Sequence, residues 1–199
     1  MTRIGVFGGT FDPIHLGHLA AAKWAMRDAH LDRVLFVPSA KPPHRGAAQA
    51  PAEDRLAMTK LAVEGEPRFE VSDVEVKRGG PSYTVNTLEE LHRTFPDDQL
   101  FLILGWDAAR LFRTWHEPER VSALASIVIV DRGKSQTVPS ELKAIGLAPE
   151  RVIICHVRTP DISGSELRRA IAAGESVGRK VPPAVERYIA AHNLYRDNR

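Results

Sequence analysis

The sequence predicts an α/β fold built on a parallel sheet, and three observations carry that prediction. Short apolar runs recur at Ile4 to Phe7, Arg33 to Val37, Leu100 to Leu104, Ser126 to Val130 and Val152 to Val157. Stretches with helical spacing of apolar residues separate them. Glycines, prolines and basic residues cluster just after these runs, where an open parallel sheet takes its ligands.

The first run is followed by Gly8 and Gly9, the Asp12-Pro13 turn, and apolar or small residues from Leu16 to about Ala29 at helical spacing. Arg33 to Val37 completes a βαβ unit with parallel strands. Pro38 ends it, and Ser39 to Ala50, with Lys41-Pro42-Pro43-His44-Arg45, reads as a proline-stiffened loop. Pro51 to Glu64 suits an amphipathic helix with acidic residues at its start. Phe69, Val71, Val74 and Val76 alternate as one strand with an irregularity at Ser72-Asp73. Gly79-Gly80-Pro81 breaks the chain, and a helix opens at Ser82-Tyr83-Thr84 and ends near Pro96. Short helices are expected over Ala108 to Phe112, after Trp115 and over Pro139 to Ile145. Ser163 and Glu166 match the capping box S-x-x-E, which predicts a helix from Ser163 to Ala173. Pro182 to His192 is the last helix.

With 199 residues, 43% hydrophobic and 26% charged, the chain reads as one globular domain over 1–199. Its net charge of +2 does not indicate a nucleic-acid or membrane surface. The single cysteine, Cys155, excludes internal disulfides and lies in an apolar run, as a buried inert thiol would. No targeting, membrane-spanning or lipidation signal is visible, so the expectation is a cytoplasmic protein.

The stretch Gly8-Gly9-Thr10-Phe11-Asp12-Pro13-Ile14-His15-Leu16-Gly17-His18 organises the rest. A glycine-rich turn between strand and helix presents N–H groups and a positive helix end to phosphate. His15 and His18, three apart, share one face of the first helical turn. Such a pair could hold a metal, but metal-binding helical pairs usually stand four apart and need a third ligand, so no metal site on protein side chains is expected. Neither GxxxxGK[ST] nor GxGxxG is present.

This joint pattern resembles the signature of the HxGH nucleotidylyltransferase superfamily. Together with Pro42-Pro43-His44, Ser82-Tyr83-Thr84, Gly105-Trp106-Asp107, Trp115 and Ile162 to Arg168, it looks like the bacterial nicotinate-mononucleotide adenylyltransferase family, over the chain from residue 3 to the final helix. The resemblance implies a Rossmann-like nucleotidylyltransferase fold, with helices on both faces of a parallel sheet and a small helical C-terminal region. It also implies adenylyl transfer from ATP to nicotinate mononucleotide, giving deamido-NAD and pyrophosphate, with Mg²⁺ held mainly through ATP phosphates. By that resemblance Gly8, Gly9, Thr10, Phe11, His15, His18, Gly105, Asp107, Ile162, Ser163, Ser165 and Arg168 would bind ATP. Lys41, His44, Arg45, Tyr83, Thr84, Val85, Trp115 and Arg132 would bind the mononucleotide, with Trp115 on the pyridine ring. His15, His18 and Arg168 would be catalytic. No nucleic-acid or membrane partner is implied, and self-association into a homo-oligomer is compatible with the reading.

Ser165, Gly164, Trp106, Asn86 and Arg132-Gly133 depart from the family's usual residues, and bear on details of mononucleotide binding. Two other readings stay open at this stage: a sister adenylyltransferase using another phosphorylated acceptor, such as nicotinamide mononucleotide or phosphopantetheine, and a non-catalytic nucleotide sensor. The chemistry favours fixed donors over a base. A phosphate monoester, with a second pKa of about 6, is already an anion at neutral pH. The difficulty is bringing two polyanions together, which cations, imidazole N–H donors and helix ends address.

Overall fold

The computed structural model describes residues 1–43, 47–131, 139–157 and 160–196. Its strands are β1 (Arg3–Gly9), β2 (Arg33–Pro38), β3 (Phe69–Val71), β4 (Gln99–Gly105), β5 (Ser126–Asp131) and β6 (Val152–His156). They form one sheet in the order β3-β2-β1-β4-β5-β6, with every neighbouring pair parallel.

The helices are α1 (Leu16–Asp28), α2 (Ala52–Val63), α3 (Val74–Arg78), α4 (Thr84–Thr94), α5 (Trp106–Ala109), α6 (Pro118–Leu124), α7 (Pro139–Ala144), α8 (Gly164–Ala172) and α9 (Pro183–Ala191). Side chains of α1, α2, α8 and α9 join one core with Phe7, Phe36, Ile103, Val128 and Cys155. Those of α4, α6 and α7 join a second with Ile4, Val6, Leu102 and Ile129. Alternate residues of each central strand thus enter opposite cores, which is why these strands read as unbroken apolar runs. Each aliphatic side chain fully buried there contributes about 1.5–3 kcal/mol.

Two expectations are corrected. The strand foreseen from Phe69 to Val76 stops at Val71, and Val74–Arg78 is helical. The Ser72 hydroxyl accepts from the Val74 N–H at 3.4 Å, and Lys77 donates its N–H to the Asp73 carbonyl while its ammonium pairs with the Asp73 carboxylate at 3.2 Å. Those local bonds outweigh the alternation of Val74 and Val76. At α8, Ser163 is the N-cap residue, but its side chain makes no capping hydrogen bond, and Glu166 is exposed. The reaching-back half of such a box stands at α1 instead, made by a histidine.

Candidate active site

β1 and β4 are neighbours, although the chain passes through β2 and β3 between them. Connections leave the two strands in opposite directions, the switch point at which open parallel sheets carry a ligand crevice beyond the strands' carboxyl ends. Gly8 and Gly9 end β1, and Gly105 ends β4. Among the described residues a Cβ placed on Gly8 or Gly105 would meet no atom within 4 Å beyond its chain neighbours, so packing against them does not call for glycine there. Gly9 is different. A Cβ there would stand 2.7 Å from the Phe11 ring.

Phe11 itself is 2% exposed and held at φ +48°, with its ring 5.7 Å from Phe7 and 5.9 Å from Phe36. Its side chain belongs to the core, which leaves its backbone on the turn. The ring also meets His18 edge-on at 5.1 Å and so fixes the imidazole plane. His15, extended at φ −145° and ψ 169°, is the N-cap of α1. Its backbone N–H donates to Nδ1 of His18 at 3.3 Å. The two imidazoles stack with centroids 3.6 Å apart and planes 22° from parallel. Because Nδ1 of His18 accepts, the neutral ring carries its proton on Nε2, which is therefore the donor.

α8 closes on this turn from the other end of the chain. The Arg168 guanidinium donates through Nη1 to the backbone carbonyl of Asp12 at 2.7 Å, and Nη2 stands 3.4 Å from the Ser165 hydroxyl. A Cβ on Gly164 would lie 3.3 Å from the same Asp12 carbonyl, and one on Gly17 would lie 3.4 Å from the Pro160 carbonyl. Small residues let the two segments touch. Ser163 and Ser165 are exposed at this junction, whereas the Ile162 side chain is buried in the core. Gly105 caps α5, and Asp107 follows on its first turn with an exposed side chain.

A second group gathers beyond β2. Lys41 pairs with Pro81, the Ser82 N–H donates to the Lys41 carbonyl at 2.9 Å, and the Ala40 N–H donates to the Ser82 hydroxyl at 2.9 Å. Those bonds set the start of α4, where Tyr83 is the N-cap, Thr84 opens the helix and the Val85 side chain is buried. The Tyr83 ring lies 4.4 Å from His116, next to Trp115, whose own ring is 5.4 Å from Phe112. His44, Arg45 and Arg132 lie outside the described residues.

Residues 6–170 match the cytidylyltransferase-like family. The chain belongs to that family. It is 52% identical, over 98% of its length and 100% of the relative's, to a Thermus thermophilus protein named "Probable nicotinate-nucleotide adenylyltransferase". A Thermomicrobium roseum protein of the same name is 42% identical over 98% of this chain and 92% of its own. The fold is shared with a structure of Plasmodium falciparum nicotinic acid mononucleotide adenylyltransferase complexed with NaAD (TM-score 0.79, 19% identity, 98% of each chain covered). Among the described residues, no helix is long and apolar enough to cross a membrane.

A buried polar cluster beneath the turn escaped the reading of the sequence. Arg55, on α2 and 1% exposed, donates to the carbonyls of Thr10 at 2.6 Å, Ala50 at 3.1 Å and Ala40 at 3.3 Å. Burial pulls its pKa down, and the nearby Asp12 carboxylate opposes that. Asp12 accepts from the N–H groups of Gln49 and Ala50 at 2.8 and 3.2 Å, and from the Tyr195 hydroxyl at 2.7 Å. An arginine inside an amphipathic helix reads as a surface residue. No local spacing pairs it with Asp12 or Tyr195.

Proposed function

We propose that the chain transfers the adenylyl group of ATP to nicotinate mononucleotide, forming deamido-NAD and pyrophosphate in NAD biosynthesis. The observation that carries the site assignment is the Arg168–Asp12 hydrogen bond. It brings the cation of α8 to the turn that begins at Gly8 and ends on the His15–His18 pair, so one crevice has donors for both ends of a triphosphate. Family membership, and relatives of that name over nearly the whole chain, support the same reaction.

In this reading a mononucleotide phosphate oxygen attacks the α-phosphorus of ATP. The bond to the bridging oxygen breaks, and pyrophosphate leaves with that electron pair. No proton needs to be removed from the nucleophile. His18 donates from Nε2 to an α-phosphoryl oxygen as charge grows there, and the stacked His15 ring and the Phe11 edge hold it in place. Arg168 offers a planar fork to the departing pyrophosphate, with Ser163 and Ser165 beside it. The open backbones at Gly8 and Gly105, with Gly9, Thr10 and Asp107, receive the rest of ATP. The helix start at Tyr83-Thr84-Val85 meets the pyridine carboxylate through its N–H groups, Trp115 stacks on the ring, and Lys41 meets the mononucleotide phosphate, a role the family resemblance also assigns to His44, Arg45 and Arg132.

Mg²⁺ held through the ATP phosphates would offset their charge. The Asp12 carboxylate is a poor candidate ligand, since three hydrogen bonds and two neighbouring guanidinium groups already occupy it. The phosphates would therefore hold the ion. Release of pyrophosphate from ATP, measured with nicotinate mononucleotide, nicotinamide mononucleotide and phosphopantetheine in parallel, tests the reading. Turnover with the nicotinate substrate, at the highest kcat/KM of the three, is expected. A higher value for either other acceptor, or none at all, overturns it.

A further inference from the structure

Asp12 and Arg168 form only a long ion pair, with no side-chain hydrogen bond between them. Nη1 of Arg168 lies 3.8 Å from Oδ2 of Asp12, while bonding its backbone carbonyl at 2.7 Å. A carboxylate and a guanidinium with freedom to turn close to roughly 2.8 Å in a two-point fork. Here the carboxylate is committed elsewhere. Oδ2 accepts the Gln49 N–H, and Oδ1 accepts both the Ala50 N–H and the Tyr195 hydroxyl. On the arginine, Nε is buried with no hydrogen-bond partner among the described residues, and the Nη2 contact to Ser165 is long at 3.4 Å.

Tyr195 reaches Asp12 across 183 positions of sequence, at a conformational cost. After α9 the chain turns through Asn193 at φ +51° and Tyr195 at φ +62°. A ring-bearing residue rarely adopts that region, and it persists only where its surroundings impose it. Leu194 and the Tyr195 ring pack on the core beside α1 and α2, and the hydroxyl ends on Asp12. Burial first, and then the Asp12 charge, push the Tyr195 hydroxyl above the ordinary tyrosine range, so it keeps its proton and donates.

We propose that Tyr195 is a positioning residue for the triphosphate end: its hydrogen bond keeps the Asp12 carboxylate from closing on Arg168, whose N–H groups stay available to phosphate. This rests on the reading of Arg168 as a triphosphate ligand. Tyr195→Phe removes the hydroxyl and keeps the ring packing. The probe is inorganic tripolyphosphate, with its Kd measured by calorimetry beside the KM values of both substrates, kcat and Tm. The expected result is a rise in tripolyphosphate Kd and ATP KM of roughly three- to tenfold, the scale of one competing hydrogen bond. The mononucleotide KM and Tm should move far less, and kcat less than the ATP KM. Asp12→Asn approaches the same bond from the other partner. It removes the competing charge, so tripolyphosphate should bind at least as tightly as to the native chain.

An unchanged ATP KM in Tyr195→Phe overturns the proposal, as does an equal rise in both KM values with a lowered Tm, which a merely structural role would give. Weaker tripolyphosphate binding in a folded Asp12→Asn overturns it too. If Tyr195→Phe does not fold, the hydroxyl is structural and the proposal fails. Arg168→Ala separates the two levels. If it leaves tripolyphosphate binding intact, the assignment of Arg168 is wrong. If it weakens binding while Tyr195→Phe does not, only the role of Tyr195 is wrong.

Discussion

At the scale of single residues, the site turns on where protons sit. The His15 backbone N–H occupies Nδ1 of His18, so the ring is held as a donor through Nε2. His18→Ala should lower kcat by roughly 10²–10³, the scale for losing one donor to a developing oxyanion, with a small change in ATP KM. Steady-state kinetics with both substrates checks this, and a near-native kcat would remove His18 from the chemistry. The histidine pair was legible because both rings lie within one helical turn of a glycine-rich strand end. Arg55 was not. Its three acceptors, Thr10, Ala40 and Ala50, belong to loops whose approach depends on the whole βαβ unit. Arg55→Met should cost about 3–5 kcal/mol, because it leaves three carbonyls without their donor and takes one of two cations from beside Asp12. Urea unfolding would register this as a lowered midpoint, and a loss below about 1 kcal/mol would mean the cluster is not structural.

At the scale of elements, strand and helix positions were readable wherever burial on two faces makes a strand apolar throughout, as in β1, β4 and β5. They were misread between β3 and α4, where Val74 and Val76 alternate as a strand would although the chain there is helical. The helix that wins there, α3, carries Glu75 into the interior. The Thr87 hydroxyl of α4 donates to Glu75 at 2.6 Å, Ser82 also bonds it, and Arg78 pairs with Glu90 at 2.7 Å beside them. Burial pushes the Glu75 carboxyl above its ordinary value of 4.5, against those hydrogen bonds and the Arg78 charge. A group whose native pKa is raised stabilises the fold fully below its unfolded value, and loses that contribution as pH climbs through the native one. Native protein should therefore lose stability relative to Glu75→Gln as pH rises from about 4.5, and the difference should level off once Glu75 is ionised in the fold. Urea midpoints of both proteins across pH 4 to 8 give the curve; a difference that stays flat over that range would place Glu75 in an environment like water.

At the scale of the molecule, both ends of the chain meet under one crevice: the turn after β1 is held by α8 and by the segment after α9. The sheet and its two helical layers should then open together. Cys155 reports on that. It lies on β6, is fully buried in the core that α1 shares, and burial pushes its thiol up to about 12. A disulfide reagent needs both access and a thiolate, and the folded chain supplies neither at pH 8. Native protein should therefore show almost no reaction, and urea-unfolded protein one thiol per chain. Under native conditions the slow reaction should give the same free energy of opening as urea unfolding. Because ATP binds only the folded crevice, ATP at about 100 times its Kd should slow labelling about a hundredfold. Labelling faster than unfolding allows, and indifferent to ATP, would show that β6 opens on its own. The crevice would then be framed by β1, β2 and β4 without the far edge of the sheet.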